Sequence, residues 1–84
     1  MVSIGPYDTR WLEQLAIRAE ERASRARRHA LTARGLAGRH AARGDHDSEL
    51  IFRRDAEGHE RAAGAHERTA ALYRRRVSRL TGPE

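Results

Sequence analysis

Alanines and larger, mostly apolar residues recur along almost the whole chain at alternating steps of four and three, in two stretches separated by Gly44-Asp45. The first stretch carries Leu12, Ala16, Ala19, Ala23, Ala26, Ala30, Ala33 and Ala37. The second stretch carries Phe52, Ala56, His59, Ala63, His66, Ala70, Tyr73, Val77 and Leu80. These steps align residues along one stripe of an α-helix, the seam of a coiled coil. The pattern predicts an all-α fold, an antiparallel hairpin of two helices.

Turn and capping residues set the predicted boundaries. Gly5-Pro6 is typical of a helix start, because proline is tolerated in the first turn. Gly44 suits the left-handed position after a helix, and Asp45 or Asp47 can cap the next one. Gly82-Pro83 should end the second helix. The predicted bounds are about 7–42 for the first helix, 43–47 for the turn and 48–81 for the second, in one domain spanning 1–84.

The turn also predicts a register. Folding the chain about Gly44-Asp45 brings together seam residues whose numbers add up to 89, so that most large residues of the second helix face alanines. The same rule predicts four complementary pairs on the flanks, which would disfavour other registers. These pairs are Arg22–Glu67, His29–Glu60, Arg34–Asp55 and Glu13–Arg76.

A second apolar stripe is predicted on one side of the hairpin. We expect this partner-binding face to dimerise the hairpin into a four-helix bundle, or to dock a helical protein partner. A ligand cleft is the remaining alternative. The face comprises Ile17, Ser24 and Leu31 on the first helix and Ile51, Ala65 and Leu72 on the second.

The chain is strongly basic, with a net charge of +5, and all seventeen of its basic residues are arginine. This usage is typical of a GC-rich genome, and it also suits an acidic partner. The densest arginine cluster is the basis of an alternative function, nucleic-acid or nucleotide binding. Interleaved acidic residues and the lack of a DNA-binding motif make nucleic acid the less favoured partner. The cluster comprises Arg10, Arg18, Arg74, Arg75, Arg76 and Arg79.

The chain lacks the residues that several kinds of chemistry require. The chain has no cysteine and no run of apolar residues long enough for a membrane span, and its first residues do not resemble a signal peptide. We therefore expect a cytoplasmic protein without a membrane partner. No nucleophile–base pair and no glycine-rich phosphate loop are present, so we expect neither an enzyme nor a cofactor.

Two seam histidines occur in an internal repeat. His59 and His66 lie seven residues apart, about 10.5 Å along a helix, which is too far for the pair to chelate one metal ion. We expect no metal site. The two histidines either pack in the seam or form a pH switch, because protonation would disfavour their burial.

Two resemblances accompany these patterns. The repeat His-Glu-Arg-Ala-Ala at His59 resembles tracts in small helical actinobacterial proteins, and it implies no activity. The spacing Glu20-x-x-x-Ser24-x-x-Arg27 is similar to the start of the cyclic di-GMP signature of WhiG-type anti-sigma hairpins. The Gln and Asp that follow in that signature are Leu31 and Gly35 here. The resemblance implies that the three matching residues bind a cyclic dinucleotide on the flank of the hairpin.

The sequence thus predicts a small non-enzymatic protein–protein interaction module. A role as a transcription- or sigma-factor-type regulator is the expectation that the second resemblance adds. The rival prediction is the arginine-rich nucleic-acid or nucleotide-binding protein.

Overall fold

The chain folds as two long α-helices joined by a tight turn. The computed structural model describes residues 9–82, with α1 at Thr9–Ala42 and α2 at His46–Thr81. The helices pack against each other in an elongated body of 67 × 21 × 12 Å. The predicted all-α helical hairpin is confirmed. The predicted start of α1 at residue 7, and Gly5-Pro6 before it, lie outside the described residues.

Alanine makes up nearly all of the core. The buried residues of α1 are the eight predicted seam residues, and Leu12 is the only one larger than alanine. In α2 the buried residues are Ala56, Ala63 and Ala70. Because these side chains are small, each removes little area from water, and the helices can approach closely.

The larger seam residues of α2 lie at the margin of this core. Leu80 is exposed because it lies at the open end of the hairpin, where α1 begins. The remaining five are half-buried: Phe52, His59, His66, Tyr73 and Val77.

The turn supplies hydrogen-bond partners for backbone groups at the end of α1 and at the start of α2. Gly44 has a φ of 77°, the left-handed region that glycine adopts without strain. The amide of Asp45 donates to the carbonyl of His40, and that of Gly44 to Ala41, which completes a Schellman motif. The carboxylate of Asp45 accepts from the amide of Ser48 at 3.1 Å and so caps α2. Hydrogen bonds from Ser48 also lower the pKa of Asp45.

Two boundary predictions change as a result. Asp45 rather than Asp47 is the cap, so α2 begins at His46 instead of near residue 48 and the turn is shorter than 43–47. The predicted end of α2 near residue 81 is correct: Gly82 has extended backbone, with φ of −68° and ψ of 156°, as expected for a residue before proline.

We expect enlargement of the alanine seam to separate the helices. Ala63 is fully buried, so Ala63→Leu forces extra methylene groups into a filled interface and should cost about 1–3 kcal/mol of unfolding free energy. Ala71→Leu is the matched control, since Ala71 is exposed on the same helix. Urea unfolding followed by circular dichroism compares the two variants. Equal stability of the two variants would contradict a tightly packed alanine seam.

Candidate functional site

The seam divides the surface of the hairpin into two faces. Residues that directly follow Ala19, Ala26 or Ala33 in sequence lie on one edge of α1, and residues that directly precede Ala16, Ala30 or Ala37 lie on the other. In an antiparallel pair, edges of the same kind from the two helices meet on the same face. The hairpin therefore presents two long faces with different residue compositions.

The first face, which we call the ladder face, carries three arginine–glutamate pairs that join α1 to α2. Each arginine donates through Nε and Nη2 to both carboxylate oxygens, with N···O distances of 2.6–2.8 Å. The side chains are about half exposed and water screens their charges, so each pair on its own adds little stability. Because the pairs repeat every seven residues on both helices, together they favour one register. They are Glu20–Arg74, Arg27–Glu67 and Arg34–Glu60.

The four predicted flank pairs are wrong. Each of them joins a residue on one edge of the seam to a residue on the opposite edge. Arg22, for example, precedes a buried alanine, whereas Glu67 follows a seam histidine, so they point to different faces. Among the described residues none of these pairs forms: Arg22–Glu67, His29–Glu60, Arg34–Asp55 and Glu13–Arg76.

The ladder shifts the titration of its glutamates. Hydrogen bonds from the partner arginines, followed by the attraction of their charges, lower the pKa values of Glu20, Glu60 and Glu67 below the ordinary 4.5. The folded state therefore binds these protons more weakly than the unfolded state. The stabilisation is fully present above the unfolded pKa and is lost as the pH falls through the lowered pKa values.

We expect the hairpin to lose stability below about pH 4.5, the ordinary glutamate pKa from which these shifts start. A triple change of Glu20, Glu60 and Glu67 to glutamine should flatten this part of the profile of melting temperature against pH. Glu21→Gln is the control, because Glu21 is exposed and forms no ion pair within residues 9–82. A profile unchanged in the triple variant would show that the ladder does not contribute to the acid sensitivity.

The predicted second stripe is divided between the two faces, so its description as one partner-binding face is wrong. Leu31 lies beside Arg27 and Glu60 on the ladder face. Leu72 lies beside Leu15 and Tyr73 on the opposite face. By heptad spacing, Ile17 and Ser24 accompany Leu31, whereas Ile51 and Ala65 accompany Leu72. All six are exposed, as an interaction surface requires.

The opposite face, which we call the apolar face, is the more hydrophobic of the two. At its open end Trp11, Leu15, Leu72 and Tyr73 line a shallow groove of about 360 Å³, with Arg76 at its rim. Sequence reasoning missed Leu15, although its place directly before a seam alanine is a sufficient signal. The face comprises Trp11, Leu15, Leu36, Ile51, Phe52, Leu72 and Tyr73, with Ala62 and Ala65 between its two ends.

Histidines occupy the apolar face nearer the turn. A second groove, of about 210 Å³, is lined by Leu36, Phe52, His29 and His59, among others. The rings of His29 and His59 meet edge to face with their centroids 5.2 Å apart, and Nε2 of His59 lies 3.5 Å from the carboxylate of Asp55. Both seam histidines, His59 and His66, are half-buried, and the pH switch stays a prediction.

The predicted nucleotide-binding residues make contacts within the hairpin. Glu20 and Arg27 belong to the ladder, and the hydroxyl of Ser24 accepts a hydrogen bond from Arg28 at 3.2 Å. Arg74, the centre of the predicted basic cluster, is also a ladder residue. Of the other cluster residues, Arg75 is exposed on the outer side of α2, whereas Arg18, Arg76 and Arg79 border the apolar face.

Comparison of the chain with protein-family models, curated proteins and solved structures finds no match. Within residues 9–82, no three His, Cys, Asp or Glu side chains are grouped so that they could hold a metal ion. Over the same residues, neither helix has an apolar stretch long enough to cross a membrane.

Proposed function

We propose that this protein is a small, non-enzymatic interaction module that docks a helical protein partner on its apolar face. The observation that carries the proposal is the distribution of large apolar side chains. Within the described residues, Leu12 is the only buried hydrophobic residue larger than alanine, whereas Trp11, Ile51 and Leu72 are exposed on the apolar face beside four half-buried large residues of that face. Exposed apolar patches of this kind are typical of interaction surfaces.

The shape of the apolar face supports a helix as the docked element. Its large side chains gather at the two ends, around Leu72 and around Phe52, and Ala62 and Ala65 lie between them. Small residues between larger ones let another backbone approach closely, as the alanine seam itself does. Full burial of one large apolar side chain contributes about 1.5–3 kcal/mol, so a few such contacts suffice for binding.

A homodimer that forms a four-helix bundle is the self-association version of this proposal. A regulatory role, in which the hairpin holds a transcription-type factor, is its functional extension. Both rest on the same face, and both predict that a charge introduced there disrupts assembly. Sedimentation of the purified protein distinguishes a homodimer from a complex with a different protein, because only self-association raises the mass when no second protein is present.

Site-specific photo-crosslinking in host cells tests the proposal. A photoreactive side chain at Leu72 should yield a protein adduct, and the same side chain at Leu31 should yield much less. Leu31 is the matched control because it is the more exposed of the two, at 72% against 57%, but lies on the ladder face. Mass spectrometry of the adduct distinguishes a second copy from a different protein. Equal crosslinking at both positions, or none at either, would refute the proposed face.

Nucleic-acid binding is a second candidate function, favoured by one observation. Of the six arginines in the predicted cluster, only Arg74 forms an ion pair within the described residues. The other five are therefore available to phosphate groups.

This candidate predicts a distinct outcome. Binding to duplex DNA or RNA should weaken steeply with added salt, and Arg75→Ala should weaken it as much as Arg76→Ala, because each removes one phosphate contact. Docking on the apolar face should depend on Arg76 more than on Arg75, because Arg76 borders the groove. Fluorescence anisotropy of labelled oligonucleotides over a salt series measures the salt dependence and the effect of each arginine substitution on nucleic-acid binding. A flat salt dependence would exclude this function.

A further inference from the structure

The chemistry of the partner follows from where the charges of the hairpin lie. On the edges that meet at the ladder face, glutamate and arginine are equally numerous, with four of each. The net positive charge of the chain therefore resides elsewhere. The eight residues are Glu13, Glu20, Arg27, Arg34, Arg53, Glu60, Glu67 and Arg74.

The apolar face has a strongly basic border. Over residues 9–82, heptad spacing places six arginines along it, four on α1 and two near the end of α2, against one acidic residue, Asp55. None of the six forms an ion pair within the described residues. The border comprises Arg18, Arg22, Arg25, Arg39, Arg76 and Arg79.

We infer that the apolar face binds an acidic amphipathic helix, whose apolar residues pack on the face and whose carboxylates pair with the arginine border. This inference rests on the proposed function and adds the chemistry of the partner to it. An apolar floor alone would accept any hydrophobic helix. A border with six cations and one anion selects carboxylate-bearing partners, because complementary charge raises affinity and like charge is penalised.

The same border disfavours a second copy as the occupant. Two apolar faces in a symmetric dimer would bring twelve arginines together with two aspartates, as follows from doubling the charges of one face. Like charges near one another cost free energy unless counterions or acidic residues compensate for them. A foreign acidic helix supplies that compensation and a second copy does not.

The geometry indicates how such a helix lies. Four of the six border arginines lie along α1, whereas the corresponding edge of α2 carries Ile51, Gly58, Ala65 and Leu72 before it reaches Arg79. The partner helix should therefore turn its carboxylates toward α1 and its apolar stripe toward α2. Apolar residues at positions i, i+3, i+4 and i+7 would meet the floor of the face, as in other helix-in-groove complexes.

Two synthetic peptides of about 20 residues test the inference, each with leucines at this spacing. One peptide carries glutamates beside the leucines, and the other carries glutamines at the same positions. Trp11 is the only tryptophan of the chain and lines the groove beside Leu72, so its emission reports docking. We expect both peptides to shift the emission to shorter wavelength. At low salt the acidic peptide should bind about tenfold more tightly, and added salt should reduce this difference.

Matched variants locate the effect. Arg22→Gln with Arg25→Gln should remove most of the preference for the acidic peptide. Arg61→Gln with Arg68→Gln removes the same charge from the outer side of α2, and should leave most of that preference in place. Leu72→Asp should weaken both peptides, whereas Leu31→Asp should weaken neither.

The outcomes separate this inference from the proposed function. Equal affinity for the two peptides, lost in Leu72→Asp, would overturn the acidic partner and leave the docking face in place. No binding of either peptide, with equal photo-crosslinking at Leu72 and Leu31, would overturn both. Binding to phosphatidylglycerol vesicles without binding to the peptides would identify a lipid surface and overturn a protein partner. A dimer that Leu72→Asp dissociates would assign the face to a second copy.

Discussion

The close packing of two alanine stripes is the constraint on which the other features of the hairpin depend. Apart from Leu12 at the open end, every buried residue of the described seam is alanine, so no large side chain holds the helices apart along the rest of its length. The arginines and glutamates on the flanks can therefore reach across the seam and form bidentate pairs. The larger seam residues of α2, such as Tyr73, have no depth to fill and remain at the margin. The small size of the buried residues thus determines which charged pairs can form across the seam and which large side chains stay exposed.

The two faces that result differ in their electrostatic character. On the ladder face, charges of both signs compensate one another within the molecule, and three arginine–glutamate pairs hydrogen-bond across the seam. On the apolar face, arginines such as Arg22 form no ion pair with any residue that the structure describes, and they border exposed apolar side chains. A face whose charges are paired internally gains little from a partner, whereas an uncompensated face gains both charge neutralisation and apolar burial. This contrast is the reason that we assign docking to one face only.

The sequence predicted the helices and the seam well because both depend on local periodicity. All eight buried residues of α1 follow from the alternating spacing, and Gly44 at the turn follows from the demand for a left-handed residue. The faces were harder to predict, because they depend on which edges of the two helices meet. Pairing by residue number gave Glu67 the wrong partner, although the correct one, Arg27, lies only five residues further along α1. The length of the arginine side chain and the handedness of the helix decide which arginine reaches a given glutamate. Pairing positions by residue number takes neither into account.

The single connection between the helices gives the two ends of the hairpin different local stabilities. At one end Asp45 closes α1 and caps α2, so opening there must break several hydrogen bonds at once. At the other end, near Leu80, no turn joins the described parts of the two helices. Each level of the rod contacts only its neighbours, so fraying can start at the open end and proceed inward. Amide exchange should therefore be fastest around Trp11 and Leu80, and a helix bound in the groove beside Leu72 would hold the two helices together at this end and slow the exchange.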